Sequence, residues 1–319
     1  MPLPWMLGAM FVVMVVAILG VDLKAPARLR SIMVPILGVM LGSGFKPEMF
    51  SQVADWLITL LILPIFIVVA FSAAYGVYRK LGGYDPVTAF YASAPGGLTD
   101  MILMGAEAGG DERRIAMAHA GRIFMVVTLV VLFYTIVLSV ETTGDARPFI
   151  SFADVGLRDL AILTACAVIG ALVGPKVGLP APIILGPMIL SGIVHLAGIT
   201  ELPPPTVAVN ATQLVMGTVI GCRFAGASPR AVMKDLGLSL VAASAMLLIA
   251  VPIAFAVTAL TGTDIKETFL SFSPGGLPEM SILALSLDAD IAYIATMHII
   301  RIVLVIALAP VFFRLIRGR

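Results

Sequence analysis

Long apolar runs alternate with short polar stretches along the chain, near residues 4–20, 31–45, 56–78, 115–139, 157–175, 181–198, 206–222, 236–260 and 291–313. Runs of that length predict membrane-spanning helices, some of them short for a hydrocarbon core of ~30 Å. Two further apolar segments, near 87–106 and 266–286, are each interrupted by one motif: "SAPGGLTDM" at 93–101 and "FSPGGLPEM" at 272–280. Proline lacks an amide hydrogen and clashes with the preceding turn, and glycine tolerates positive φ, so Pro-Gly-Gly predicts a broken or re-entrant helix. A bilayer tolerates backbone freed in this way only where protein buries it or a watery cavity solvates it.

Composition turns the pattern into a class. Of 319 residues, 60% are hydrophobic and 12% charged, with a mean hydropathy of +1.08, which predicts an integral membrane protein. No loop is long enough to fold as a soluble domain. A formal net charge of +1 offers no basic field, so nucleic acid is not an expected partner. No cation precedes Lys24, so the first apolar run reads as a retained helix rather than a signal peptide. Cys166 and Cys222 read as small buried hydrophobes with neither disulfide nor metal spacing. No metal or cofactor is expected.

The chain reads as a duplication. Adding 179 carries Gly38, Gly42, Phe45, Asp85 and Phe90 onto Gly217, Gly221, Phe224, Asp264 and Phe269. The same register carries Pro95, Gly96, Gly97, Leu98 and Met101 onto Pro274, Gly275, Gly276, Leu277 and Met280. Asp111, His119 and Arg122 fall onto Asp290, His298 and Arg301, and at offset 178 "LPWMLGAM" matches "APIILGPM". A shared register for His, Arg and Asp is not the product of apolar composition alone. The expected organisation within one membrane domain is repeat 1 at 1–143, a linker with an unpaired helix at 144–180, and repeat 2 at 181–319. Segment 157–177 has no counterpart, so repeat 1 is expected to lack its first helix, and a start upstream of Met1 stays open.

Charge then sets topology. If the Pro-Gly-Gly segments do not cross and Arg314, Arg317 and Arg319 are cytoplasmic, Lys24, Arg28, Arg30, Arg79, Lys80, Arg113, Arg114, Lys176, Arg223, Arg230 and Lys234 are also inside. Lys46, Arg147, Arg158 and Lys266 are then outside, a ratio of 14 to 4 that full crossing would reduce to 11 to 7. The counting favours the non-crossing arrangement, in which the repeats are inverted and their broken helices enter from opposite faces near the midplane. That is a signature of secondary transporters, and crossing by broken helices is the competing geometry.

The candidate site follows from these breaks. Half-helices starting near Leu98 and Leu277 would point N-terminal amides into a cavity suited to an anion, unless the breaks at Pro95, Gly96, Gly97, Pro274, Gly275 and Gly276 are only bends. Asp100 and Glu279 would either carry a coupling cation or proton or cap the orphan amides. Ser93 and Ser273 would line the cavity or cap it. Arg122 and Arg301 fall near mid-bilayer, where insertion costs at least ~2.5–3.5 kcal/mol, so each needs a partner. His119 and His298, three residues earlier, share a helical face with them. The arginines would bind a substrate anion with His as donor or proton relay, or else lock onto Asp100 and Glu279. The G-x-x-x-G spacings at Gly38 and Gly42, and at Gly217 and Gly221, suit close helix packing. Pro64 and Pro252 read as kinks, Asp85 and Asp264 as solvated loop ends, and His195 as a core or interface side chain.

The pattern P-G-G-L-x-[DE]-M followed by H-x-x-R, written twice with L-G-x-M and G-x-x-x-G-x-x-F upstream, resembles the AbrB family of bacterial inner-membrane proteins over nearly the whole chain. Members of that family carry two labels, ammonia monooxygenase and regulator of gene expression. The family is also similar to bile-acid-type, cation/proton and anion transporters with inverted repeats and broken helices. Metal-dependent oxidation needs clustered ligands, and three histidines, two of them exchanged by the repeat, supply none, so the chain is not expected to be an enzyme. The expectation is a secondary transporter of a small solute, with an organic anion first and a cation or proton next. The alternative is a non-transporting membrane regulator or sensor that affects expression indirectly. The expected partners are the bilayer and a small-molecule or ion substrate, with a cytoplasmic C-terminus and a homodimer left open.

Overall fold

The fold is seen in a computed structural model that describes residues 4–21, 23–47, 49, 53–139 and 149–317. Arg147, Arg319 and the 143/144 boundary lie outside the described residues. Among the described residues there is no strand, and the α-helices are α1 (Pro4–Ile18), α2 (Ala27–Gly42), α3 (Val53–Gly76), α4 (Pro86–Ser93), α5 (Leu98–Glu107), α6 (Glu112–Leu132), α7 (Leu157–Val173), α8 (Pro182–Leu196), α9 (Thr206–Gly221), α10 (Pro229–Thr261), α11 (Ile265–Phe272), α12 (Leu277–Ser286) and α13 (Ile291–Arg317). Among the described residues, five helical stretches are long and apolar enough to cross a membrane: Trp56–Leu81, Glu112–Val137, Thr206–Phe224, Pro229–Thr261 and Ile291–Arg314. Shorter apolar helices accompany them, so the chain is an all-α polytopic membrane protein.

Helix boundaries recur at the offsets read in the sequence. Shifting α1 by 178 gives the limits of α8, and shifting α2, α4 and α5 by 179 gives those of α9, α11 and α12. Local chemistry sets the starts. Asp85 accepts from the amides of Val87 and Thr88, Asp264 from Lys266, and Asp111 from Arg114. Asp85 and Asp264 are therefore helix N-caps that satisfy orphan donors, not merely solvated loop ends. Burial works to raise the Asp85 carboxyl, but the hydrogen bonds from Thr88 and the two amides outweigh it and hold the group below its ordinary value.

The chain divides into two compact units. The first takes Met1–Val53, Thr142–Gly226 and Ser281–Ala292, and is built on α1, α2, α7, α8 and α9. Its packing is set by glycines. A Cβ at Gly38 or Gly42 on α2 would strike the carbonyls of Ile184 or Met188 on α8, and a Cβ at Gly217 or Gly221 on α9 would strike those of Met6 or Met10 on α1. Ile184 and Met188 are the 178-offset counterparts of Met6 and Met10. Each G-x-x-x-G helix thus packs on the first helix of the other copy, with the close backbone approach that small residues permit. The unmatched α7 packs on α8 through Gly170 and Gly186, where a Cβ on either would enter the other's backbone. Gly8, the counterpart of Gly186, has nothing among the described residues within 4 Å of that position.

The second unit takes Ala54–Glu141, Ala227–Met280 and Tyr293–Arg319, and holds every candidate site residue. Here α4 and α5 form a hairpin: the Asp111 amide just beyond α5 donates to Thr88 Oγ1 near the start of α4 at 2.8 Å. Ile115 on α6, with Tyr91 on α4 beside it, fills the space that a side chain at Gly105 on α5 would need. With 8 and 10 residues, the arms are ~12 and ~15 Å long, about half the ~30 Å core. Phe90, Tyr91, Met101 and Ile115 pack with Val305, Ala309 and Phe313 of α13 around this hairpin. On α11, Thr268 bonds Thr258 of α10 at 2.8 Å, and the Lys266 carbonyl accepts from Tyr134 Oη at 2.7 Å.

The glycine contacts yield a paired prediction. Gly186→Ala forces a methyl into the Gly170 backbone, so it should destabilise the purified protein by about 1–3 kcal/mol. Gly8→Ala, at the equivalent place in the other copy, should change thermal stability by less than about 0.5 kcal/mol. Thermal unfolding in detergent, followed by size-exclusion chromatography, reads both.

Candidate functional site

The two breaks share one backbone design. Residues Ala94 and Ser273, which precede the prolines, are extended at φ −63°, ψ 124° and φ −64°, ψ 130°, as a following proline requires. Each helix therefore stops, and its last carbonyls lose their intrahelical donors. The glycines do not serve a left-handed turn. None of Gly96, Gly97, Gly275 and Gly276 has a positive φ, and Gly97 sits at φ −63°, ψ 130°. They are required for space, which corrects the sequence expectation. A Cβ at Gly96 would lie 2.8 Å from Val305, one at Gly275 would strike Met280, and ones at Gly97 and Gly276 would strike the carboxylates of Asp100 and Glu279.

Those carboxylates consequently fold back over the glycine that opens their own helix, at the third helical position. An acid at this position sets a negative charge near the amide-rich starts of α5 and α12, where the helix dipole favours it. Glu279 is buried at 2% exposure, whereas Asp100 is half-buried.

The arginines close the other side of each break. Arg122 is 5% exposed, and its Nη1 donates to the Ala94 carbonyl at 2.9 Å while Nη2 donates to His119 Nδ1 at 3.0 Å. Arg301 is 2% exposed; Nη1 donates to the Ser273 carbonyl at 2.6 Å and Nη2 to the Gly275 carbonyl. Each charge thus sits at the C-terminus of a half-helix, where the dipole favours a cation. Hydrogen bonds to charged groups contribute about 1.5–3 kcal/mol each, so two such bonds offset the ~2.5–3.5 kcal/mol insertion cost. No ion pair within 4 Å joins Arg122 to Asp100. The two guanidiniums also lie within electrostatic reach of each other. On both, Nε is buried with no hydrogen-bond partner among the described residues.

The histidines differ between copies. A carbonyl can only accept, so His119 donates from Nε2 to the Tyr91 carbonyl at 2.9 Å and offers Nδ1 to Arg122. His298 donates from Nδ1 to the Ile294 carbonyl at 2.9 Å, which leaves a bare, buried Nε2. Ser93 and Ser273 each donate to the carbonyl four residues back, from Ala89 and Phe269, at 2.6 and 2.8 Å. A second polar cluster in this unit, not picked out in the sequence, joins Tyr84 Oη to Asp235 at 2.8 Å, with Arg114 over the Tyr84 ring at 5.2 Å. Its only sequence signal is an acid, Asp235, at the start of an apolar run. His195, outside the site, places Nδ1 2.7 Å from the Ser191 carbonyl and Nε2 3.3 Å from the Leu202 carbonyl, and one of the two accepts its N–H.

A family model described as "Transition state regulatory protein AbrB" matches residues 5–317. The Bacillus subtilis (strain 168) "Uncharacterized protein YhjN" is 31% identical over 302 residues, covering 88% of this chain and 77% of the relative. The Escherichia coli (strain K12) "Putative regulator AbrB" is 25% identical over 321 residues, covering 99% and 90%. No solved structure matches the chain. With a twice-written break, an arginine closing each, and a family match spanning almost every residue, this membrane protein belongs to the AbrB family.

Proposed function

We propose that the chain is a secondary transporter of a small organic anion that works by alternating access through inverted repeats. The observation that carries this reading is the pair of buried guanidiniums, each with an Nε–H that no described protein group accepts. A donor left unpaired in a low dielectric costs about 1–3 kcal/mol, more when it is charged, and an anion bridging both arginines would remove that cost. Asp100 and Glu279 act as caps, so the half-helix amides are not the anion's main ligands. Serine hydroxyls turned into their own helices leave the arginines as the principal contacts.

The hairpin form of α4–α5 supports the non-crossing topology, hence a cytoplasmic C-terminus in a bacterial inner membrane. It agrees with inverted repeats whose breaks meet near the midplane. The chain is read as non-enzymatic, with the bilayer and a small anion as partners. The regulator wording of the family description and of the Escherichia coli relative favours a second reading, a membrane sensor that changes expression through the solute it binds.

Two outcomes are expected. In proteoliposomes loaded with a panel of radiolabelled mono- and dicarboxylates, wild type should move at least one. Arg301→Ala and Arg122→Lys should each reduce that flux at least tenfold while still eluting as folded protein. Flux indifferent to both substitutions, or binding without flux by the wild type, would overturn the transporter reading. For topology, a membrane-impermeant maleimide applied to intact cells should label Lys266→Cys but not Lys176→Cys in a background without Cys166 and Cys222. The reverse pattern would reject this orientation.

A further inference from the structure

The two copies of the His-x-x-Arg element do not make the same hydrogen bonds. In the first copy both ring nitrogens are used, and Nδ1 receives Arg122. His119 can gain a proton only by expelling that arginine. In the second copy, the ring has turned so that Nδ1 bonds its own helix at Ile294. His298 is 0% exposed, and its Nε2 is a bare lone pair with no hydrogen-bond partner among the described residues. The Ser273 carbonyl acts electrostatically on this ring, while no hydrogen bond joins it to Nε2. That carbonyl is the one Arg301 Nη1 holds at 2.6 Å.

We propose that His298 Nε2 is the proton site of this chain, and that the imidazolium, once formed, donates Nε2–H to the Ser273 carbonyl in competition with Arg301. A hydronium ion gives up one O–H bond as the Nε2–H bond forms and leaves as water; no other covalent bond changes. Arg301 Nη1 then joins Nε as a donor free to meet an anion. Charge explains why the two ligands would travel together. On its own helix His298 has Arg301 one turn away, and α6 brings Arg122, which acts on Arg301. The acids Asp100 and Glu279 lie in the first turns of α5 and α12, and the same packed helices also carry Glu107 on α5, Glu112, Arg113 and Arg114 on α6, Lys266 and Glu267 on α11, and Arg314 and Arg317 on α13. A third positive charge beside two arginines is favoured when an anion is present. By linkage, the proton favours the anion equally. As a coupling mechanism this rests on the transport reading above; as a protonation site it does not.

The chain has only three histidines, so 15N-histidine NMR of the intact protein in lipid nanodiscs tests the site directly, with peaks assigned through His195→Gln and His298→Gln. At about pH 8, His298 should show a protonated Nδ1 and bare Nε2, and His119 the opposite tautomer. On acidification toward about pH 5, His298 should become doubly protonated before His119 does. Arg301→Met, which removes both the competing donor and the like charge, should raise the His298 midpoint by at least about one pH unit. An Nε2-protonated His298 at pH 8, earlier protonation of His119, or no protonation of either ring across the range would overturn the proposal. If His298 stays neutral while carboxylate flux persists, this inference fails and the transport reading stands. If His298 titrates as expected and no carboxylate moves, the proton site stands and the transport reading fails.

Discussion

The structure of the second unit depends on how a bilayer protein satisfies helix carbonyls exposed by a break in mid-membrane. Each Pro-Gly-Gly strips donors from the end of α4 or α11, and hydrocarbon supplies none. Arg122 and Arg301 supply them, each 28 residues downstream of the carbonyl it holds, Ala94 in one copy and Ser273 in the other. The rest follows from that bond. The cation must be buried, so a neutral histidine and a half-helix dipole gather around it. The opposite half-helix needs its own capping charge, so an acid folds over a glycine that has no Cβ to obstruct it.

Each break is therefore a small polar assembly, and the guanidinium that closes its helix end retains one donor, Nε–H, without a partner among the described residues. Arg122 and Arg301 both bond backbone carbonyls at the breaks, partial charges that stabilise each guanidinium without neutralising it. The first unit is built differently, on glycine contacts between short helices, where shape rather than charge fixes the approach.

Much of this was legible in the sequence because it rests on residue types with few alternatives. Hydrophobic run lengths located the helices, and the 179-residue register of Pro, Gly, His and Arg placed the breaks and the candidate site together. What was not legible concerns backbone partners. Ala94, Tyr91 and Ile294 accept site hydrogen bonds through carbonyls that any residue carries, so their identity holds no signal. The role of the Pro-Gly-Gly glycines was misjudged for a related reason, since clearance for a carboxylate and left-handed φ both select glycine. Asp85 and Asp264 looked like loop ends because a cap differs from a loop only in where its oxygen points. The divergence between His119 and His298 is invisible in two identical His-x-x-Arg strings and arises from the ring's rotation alone.

An experimental density map of the protein in lipid, with and without a saturating carboxylate, tests the central claim most directly. The account predicts both guanidiniums on the carbonyls of Ala94 and Ser273 in either map, with added density bridging the two Nε atoms when the carboxylate is present. Arginines paired to Asp100 and Glu279, with the broken-helix carbonyls satisfied by other groups, would contradict it.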